Sequence, residues 1–161
     1  MFVDFNTLPN TSRVWIYQAH RTLTTHEIEQ ISEKLKHFIS NWKRHGDDLK
    51  ASFQIKYNQF IILAVDEAYT ATSGCSIDDS VHLLRTLEKE FDIDLFNKMN
   101  VSFKNGENIN TISLKEFKEY AKQKKITSHT VVFNNMVKTK ADLESTWQVE
   151  ANQSWHAKYL I

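Results

Sequence analysis

Phe60-Ile61-Ile62-Leu63-Ala64-Val65-Asp66-Glu67 is a run of six apolar residues that ends in two carboxylates. A run this short, apolar at odd and even positions alike, predicts a strand covered on both faces, in the centre of a sheet. The segment just before it, Ala51 to Tyr57, instead alternates Phe53, Ile55 and Tyr57 with Ser52, Gln54 and Lys56, the pattern of a half-exposed strand nearer an edge. Asn58-Gln59 between them is expected to turn the chain.

Outward from this hairpin, three further strands are expected at Arg13 to Ala19, Met99 to Lys104 and Thr130 to Asn134, all rich in β-branched and aromatic residues. Val14 to Tyr17 is apolar throughout, which predicts a central position. Val101 and Phe103 alternate with Ser102 and Lys104, which predicts an edge. Asn105-Gly106 would turn the chain after that strand.

Four helix starts share one device, a hydroxyl residue followed three positions later by a carboxylate: Thr24/Glu27, Ser76/Asp79, Ser113/Glu116 and Thr139/Asp142. Ile28, Ile31, Leu35, Phe38 and Trp42 form one stripe on the first helix, which is expected to close near Gly46 in a left-handed cap. Ile77, Val81, Leu84, Leu87 and Phe91 form the stripe of the second; Leu114, Phe117 and Tyr120 or Ala121 mark a shorter third. The order β-α-β-β-α-β, with the first and third strands central, reads as α+β with a split βαβ (ferredoxin-like) core. The core would span about residues 10–104 of a single domain, 1–161, with a C-terminal strand and helix extension over about 105–161.

The bulk numbers bound the function. A chain of 161 residues is long enough to bury a core without staples. Lys plus Arg and Asp plus Glu number twenty each, so no global field favours nucleic acid or an acidic membrane. Lys115 to Lys125 interleaves lysines with Glu116, Glu119 and apolar residues, which reads as a solvated helix face. The single cysteine excludes an internal disulfide and a cysteine-based zinc cluster, and its free thiol suits the cytoplasm. Met1-Phe2-Val3-Asp4-Phe5 does not read as a secretory signal, and no stretch of about 18 apolar residues predicts a membrane span.

The chemistry concentrates where the apolar strand ends. Asp66 and Glu67 sit as the two carboxylates of a Walker B strand do, one to hold Mg²⁺ and one to orient water. That reading needs a phosphate cradle, and no G-x-x-x-x-G-K-[ST] occurs; the three glycines, at 46, 74 and 106, cannot build one. A divalent ion on Asp66 and Glu67 and a plain solvated strand end both remain open. Downstream, Ser73-Gly74-Cys75-Ser76-Ile77-Asp78 brings the thiol to a helix start, with Ser76 as the expected cap. The helix's positive end favours a thiolate there, while Asp78 and Asp79 oppose it. Gly74 could give the loop an unusual backbone angle suited to an anion. A nucleophilic Cys75 would need a base from among His20, His82 and His129, none in a recognisable motif. A small packed thiol explains the residue equally well. Asn134 and Asn135, at the end of a later strand, could reach a ligand near Asp66 or simply shape a turn. Trp15, Tyr17 and Phe60 could be drafted as base-stacking rings, but no RNA-binding signature accompanies them, and they read as core.

Pro9-Asn10-Thr11-Ser12-Arg13-Val14-Trp15-Ile16-Tyr17-Gln18, the run Phe60 to Glu67, Ser73 to Asp78 and Val132-Phe133-Asn134-Asn135 resemble a family of short, uncharacterised bacterial proteins that carry the label "ABC transporter ATPase". That label implies ATP hydrolysis coupled to transport, which the residues above do not equip the chain to perform. The expected function is therefore a non-catalytic binding or accessory protein for a protein or small-molecule partner. Its cleft would be walled by Asp66, Glu67, Ser73, Gly74, Cys75 and Ser76, and no cofactor is assigned. A small enzyme using Cys75 as nucleophile or redox thiol is the alternative, and a metal-dependent hydrolase using Asp66 and Glu67 is the third reading.

Overall fold

The computed structural model describes residues 1–160, and the chain is α+β. It divides into two compact units, Met1–Phe96 with Lys138–Ala141, and Asn97–Val137 with the residues from Asp142 on.

In the first unit, β1 (Arg13–Gln18), α1 (Thr25–Ser40), the two-residue strands β2 (Lys43–Arg44) and β3 (Asp47–Asp48), β4 (Ala51–Lys56), β5 (Phe60–Val65) and α2 (Gly74–Phe91) follow one another. The sheet order is β1-β5-β4, antiparallel throughout, with Arg13 and Ala51 both opposite Val65. β5 is central, as its composition requires, and all six of its residues are fully buried. Ile61, Leu63 and Val65 meet Ile31, Leu35 and Ile39 of α1 and Leu84 and Leu87 of α2 in one apolar cluster.

The capping box at Thr24 and Glu27 forms as read, with the Thr24 hydroxyl accepting from the Glu27 N–H at 3.1 Å and the carboxylate accepting from the Thr24 N–H at 2.9 Å. The same carboxylate takes two hydrogen bonds from Arg21, at 2.8 Å each, and Arg21 also donates to the Phe91 carbonyl at the end of α2. This places the Glu27 carboxyl at about 2, chiefly through the Arg21 hydrogen bonds.

Gly46 does not cap α1. The helix ends at Ser40, and Gly46, at φ 87°, forms with His45, at φ 49°, the turn between β2 and β3. Two adjacent left-handed residues are what a tight hairpin demands, so the glycine answers to the hairpin and not to the helix. The β4–β5 turn centres on Tyr57 and Asn58, both at φ 54°, with Gln59 N–H bonded to the Lys56 carbonyl at 3.1 Å, one residue earlier than read.

Both edges of this sheet are covered. Phe2 bridges Ala51 beside β4, and Arg13 bridges Thr139 beside β1. Val14 N–H donates to the Lys138 carbonyl at 2.9 Å, and Lys140, 6% exposed, sends its ammonium to the Leu8 carbonyl at 2.8 Å. β1 is thus the last full strand, and its apolar outer edge is satisfied by a segment more than 120 residues downstream.

The second unit holds β6 (Asn100–Asn105), β7 (Asn108–Ser113), α3 (Leu114–Lys122), β8 (Val131–Phe133), the residues of α4 (Lys140–Ser145) from Asp142, and β9 (Gln148–Glu150). Its sheet order is β7-β6-β8-β9. This corrects the split βαβ reading: the fourth predicted strand, β6, joins β7 and β8 and not β1, and it is internal to its own sheet. Its alternation points to an edge, but β6 lies between β7 and β8, and buried Ser102 satisfies its hydroxyl on Thr111 across the β6–β7 pair at 2.7 Å. The hairpin turn is Gly106-Glu107, with Gly106 at φ 66°. Phe117 and Ala121 of α3 pack with Val101, Phe103, Ile126 and Val132.

α3 closes with Lys125 N–H on the Tyr120 carbonyl at 2.9 Å and Lys124 N–H on Ala121 at 3.1 Å, which leaves Lys124 left-handed at φ 58°. A β-carbon is disfavoured there. Lys124→Gly is expected to raise unfolding free energy by roughly 0.5–1 kcal/mol in urea titration; a loss of stability would contradict the strain assigned to this position.

Candidate functional site

The Asp66–Ser76 junction is built mostly from bonds among its own groups. Asp66 is 8% exposed; its Oδ1 accepts from the Ala68 N–H at 3.1 Å and its carbonyl from the Tyr69 N–H at 3.1 Å, which turns the chain sharply off β5. Glu67 Oε2 accepts from both the N–H and the hydroxyl of Thr72, at 3.1 Å each. Its other oxygen lies 3.7 Å from Arg13 Nη1, an ion pair whose side chains are 31% and 45% exposed and therefore strongly screened. The two carboxylates shape a seven-residue loop.

The loop delivers the chain to α2 three residues earlier than the sequence indicated. Ser73 is the cap, its hydroxyl accepting from the Ser76 N–H at 3.2 Å, and Ser76 returns its own hydroxyl oxygen to the Ser73 N–H at 2.7 Å. A serine at the third helical position can close this box as a glutamate does, and the Ser76/Asp79 pattern therefore pointed to the wrong turn. Cys75 consequently lies inside the first turn, and Asp78 and Asp79 lie beyond it; all three are exposed. Gly74 occupies the first helical position without a positive φ, and an added Cβ would meet open space. The unusual backbone expected of it is not used. Ser76 is buried, and its carbonyl accepts the Trp42 indole N–H at 2.9 Å, which ties the residues after α1 to the start of α2.

The histidines do not gather at the thiol. His82 stands seven residues along α2, a rise of about 10 Å. His20 uses Nδ1 to accept the Asp94 N–H at 2.9 Å, and His129, in the second unit, lies 3.4 Å from Glu150. Among the described residues no three His, Cys, Asp or Glu side chains come together as a metal site would require. Asn134 and Asn135 belong to the second unit, where they brace Trp147: Asn134 N–H donates to the Trp147 carbonyl at 2.6 Å, and Asn135 Oδ1 accepts the indole N–H at 2.8 Å. Asn134 Oδ1 also accepts the Met136 N–H, the turn geometry weighed for it above.

An open concavity of the first unit lies between α1 and α2. Two adjoining hollows of about 530 and 410 Å³ share Phe38, Asn41, Leu83 and Thr86. The Lys34–Glu90 ion pair, 3.3 Å long, spans one end, and Trp42, Lys43, Asp79 and His82 line the other. Residues 75, 79, 82, 83 and 86 fall on one face of α2 at helical spacing, so the groove runs along the helix towards the exposed thiol. No family model, curated protein or solved structure matches the chain. The geometry of the groove and the loop therefore carries the reading by itself.

Of the groove residues, Phe38 and Trp42 are marked by the sequence only as members of the α1 stripe. Leu83 carries the one available signal, an apolar residue on α2 that lies off the stripe of Ile77, Val81, Leu84, Leu87 and Phe91. Among the described residues no helix is long and apolar enough to cross a membrane. Trp15 and Phe60 have other occupations than stacking bases: the Arg13 guanidinium lies 4.6 Å from the Trp15 ring centroid, and Phe60 is fully buried.

Proposed function

We propose that the protein is a non-catalytic binding or accessory protein that seats an apolar-anchored segment of a partner protein in the α1–α2 groove, with Cys75 one helical turn beyond the groove-lining Asp79. The groove supports this directly: half-buried Phe38 and Leu83 form a floor, and charges of both signs stand at its rim, the usual anatomy of a modest protein interface. The junction at Asp66, Glu67, Ser73, Gly74 and Ser76 holds the start of α2 in place and so positions that face. The resemblance to the bacterial proteins labelled as transporter ATPases is compatible with an accessory role. ATP hydrolysis finds no support, since Asp66 and Glu67 are engaged in the loop and the sequence carries no G-x-x-x-x-G-K-[ST] motif.

The thiol makes the reading testable. A photoactivatable crosslinker attached to Cys75 in the intact chain should capture one protein from lysate of the source cells. Leu83→Glu, which puts a charge on the groove floor, should reduce that capture at least tenfold, the equivalent of about 1.4 kcal/mol. Lys115→Gln, in the other unit, should leave it unchanged. Equal capture by Leu83→Glu would overturn the groove as the binding site.

A further inference from the structure

The segment 151–160 runs over the second unit as two short 3-10 turns, Ala151–Gln153 and Trp155–Tyr159. Its backbone is held mostly by itself: the N–H groups of Ser154, Ala157 and Leu160 donate to the carbonyls of Ala151, Ser154 and Ala157. Among the described residues two backbone bonds tie it to the body, Ala151 N–H to the Thr130 carbonyl at 2.8 Å and Asn152 N–H to the Ser128 carbonyl at 3.1 Å. Beyond Asn152, side chains alone keep it down. Trp155, Tyr159 and Leu160 lie half-buried against the cluster around Phe117, and His156 is the one described residue past Ala151 with no exposed surface.

The pin of the segment is thus an ionisable ring. It stacks on Trp155 with 3.7 Å between centroids, lies 5.5 Å from the Phe117 ring, and has Nδ1 2.7 Å from the Ser154 hydroxyl; Nε2 is buried with no partner among the described residues. Protonation gives both nitrogens an N–H, and the one on Nε2 finds no acceptor there. Neighbouring charges do not compensate. On α3, Lys115 and Lys122 are exposed, Glu116 bonds Ser113, Glu119 accepts from Gln123, and Lys118 stands 4.9 Å from the Tyr159 centroid. Lys158 stands 5.0 Å from the same ring, and Glu150, just before the segment, lies 3.4 Å from His129. Among the described residues none of these groups bonds the His156 imidazole, and burial is what disfavours its charged form.

We propose that residues 151–160 form a proton-released strap, closed over α3 while the His156 ring is neutral and opening when that ring takes a proton, which uncovers Phe117 while the β7-β6-β8-β9 sheet stays folded. In the open form water solvates both ring nitrogens, so the open form binds the proton more tightly than the closed one. Falling pH therefore raises the open population. Two backbone ties are few enough for the strap to open as a local unit.

Amide hydrogen exchange of the full chain, resolved by residue, reads this opening at Ala151 and Asn152, where exchange requires the two ties to break. With intrinsic rates divided out, exchange at both should speed up about 20-fold between about pH 6 and pH 4.5, the ratio set by ring values of about 4 closed and about 6.5 open. In His156→Phe, which keeps a ring in place, the same amides should change by less than about twofold. Urea up to about 1 M should leave them nearly unaffected, since a local opening exposes little surface, while the Phe103 amide within β6 follows whole unfolding. The pH and urea arms use the native chain and stand without the variant. A corrected rate that stays level across this pH range would overturn the proposal. So would an equal acceleration in His156→Phe, or a urea slope at Ala151 and Asn152 as steep as that at Phe103.

Discussion

Leu63→Ala is expected to destabilise the first unit by about 3 kcal/mol, within the range of large-to-small changes at fully buried leucines. Leu63 is the middle of the three β5 side chains that face α1 and α2, and it has no exposed surface. Truncation leaves a void between a sheet and two helices that already meet across several fully buried side chains, so little collapse is available to fill it. At about 4–8 °C per kcal/mol for a unit of this size, the midpoint of thermal unfolding followed by far-ultraviolet circular dichroism should drop by more than 10 °C. Lys56→Ala, at the exposed end of β4, should change stability by less than about 0.5 kcal/mol. A Leu63→Ala loss below about 1 kcal/mol would mean that β5 is not the centre of the core.

Acidification from pH 6.5 should cost the protein about 3 kcal/mol through one side chain. His156 is fully buried, stacked at 3.7 Å on Trp155 and 5.5 Å from the Phe117 ring. Its Nδ1 meets the Ser154 hydroxyl at 2.7 Å, and its Nε2 has no partner among the described residues. Burial of the charged form lowers its pKa to about 4. Because the folded value lies below the unfolded value of about 6.5, the unfolded chain binds the extra proton between them. Stability is therefore complete above pH 6.5, declines by about 1.4 kcal/mol per pH unit below it, and the contribution is exhausted below about pH 4. Glu27, held at about 2 by Arg21, loses its contribution only as pH falls below the ordinary carboxylate range, so pH 6.5 to 4.5 isolates the histidine. Urea midpoints measured across that window should fall in the native chain and stay nearly level in His156→Phe. Parallel declines in both proteins would show that another group is responsible.

Local chemistry was the legible part of this chain. The boundaries of β5 match the apolar run residue for residue, and the boxes at Thr24 and Ser113 form as read, because a cap involves groups three residues apart. The box at Ser73 misled for the same local reason: two serines satisfied each other where a serine and an aspartate three residues later offered the same spacing. His156 gave no sign of its environment, since a histidine in a short mixed segment reads the same whether it is exposed or wedged against Phe117.

The sequence by itself determined that the protein is α+β, that β5 is a buried central strand, where two of its longer helices begin, and that no G-x-x-x-x-G-K-[ST] motif is present. These follow from composition, periodicity and short-range capping. Tertiary structure decided the partnerships: β6 pairs with β7 and β8 while β1 pairs with β5, Lys138–Ala141 returns to close the edge of β1, Glu67 bonds Thr72, and a concavity forms between α1 and α2. An alternating strand fits any sheet with a free edge, and a carboxylate accepts whichever donor the fold presents. Those choices were made by contacts between residues far apart in the chain, where local pattern carries no information.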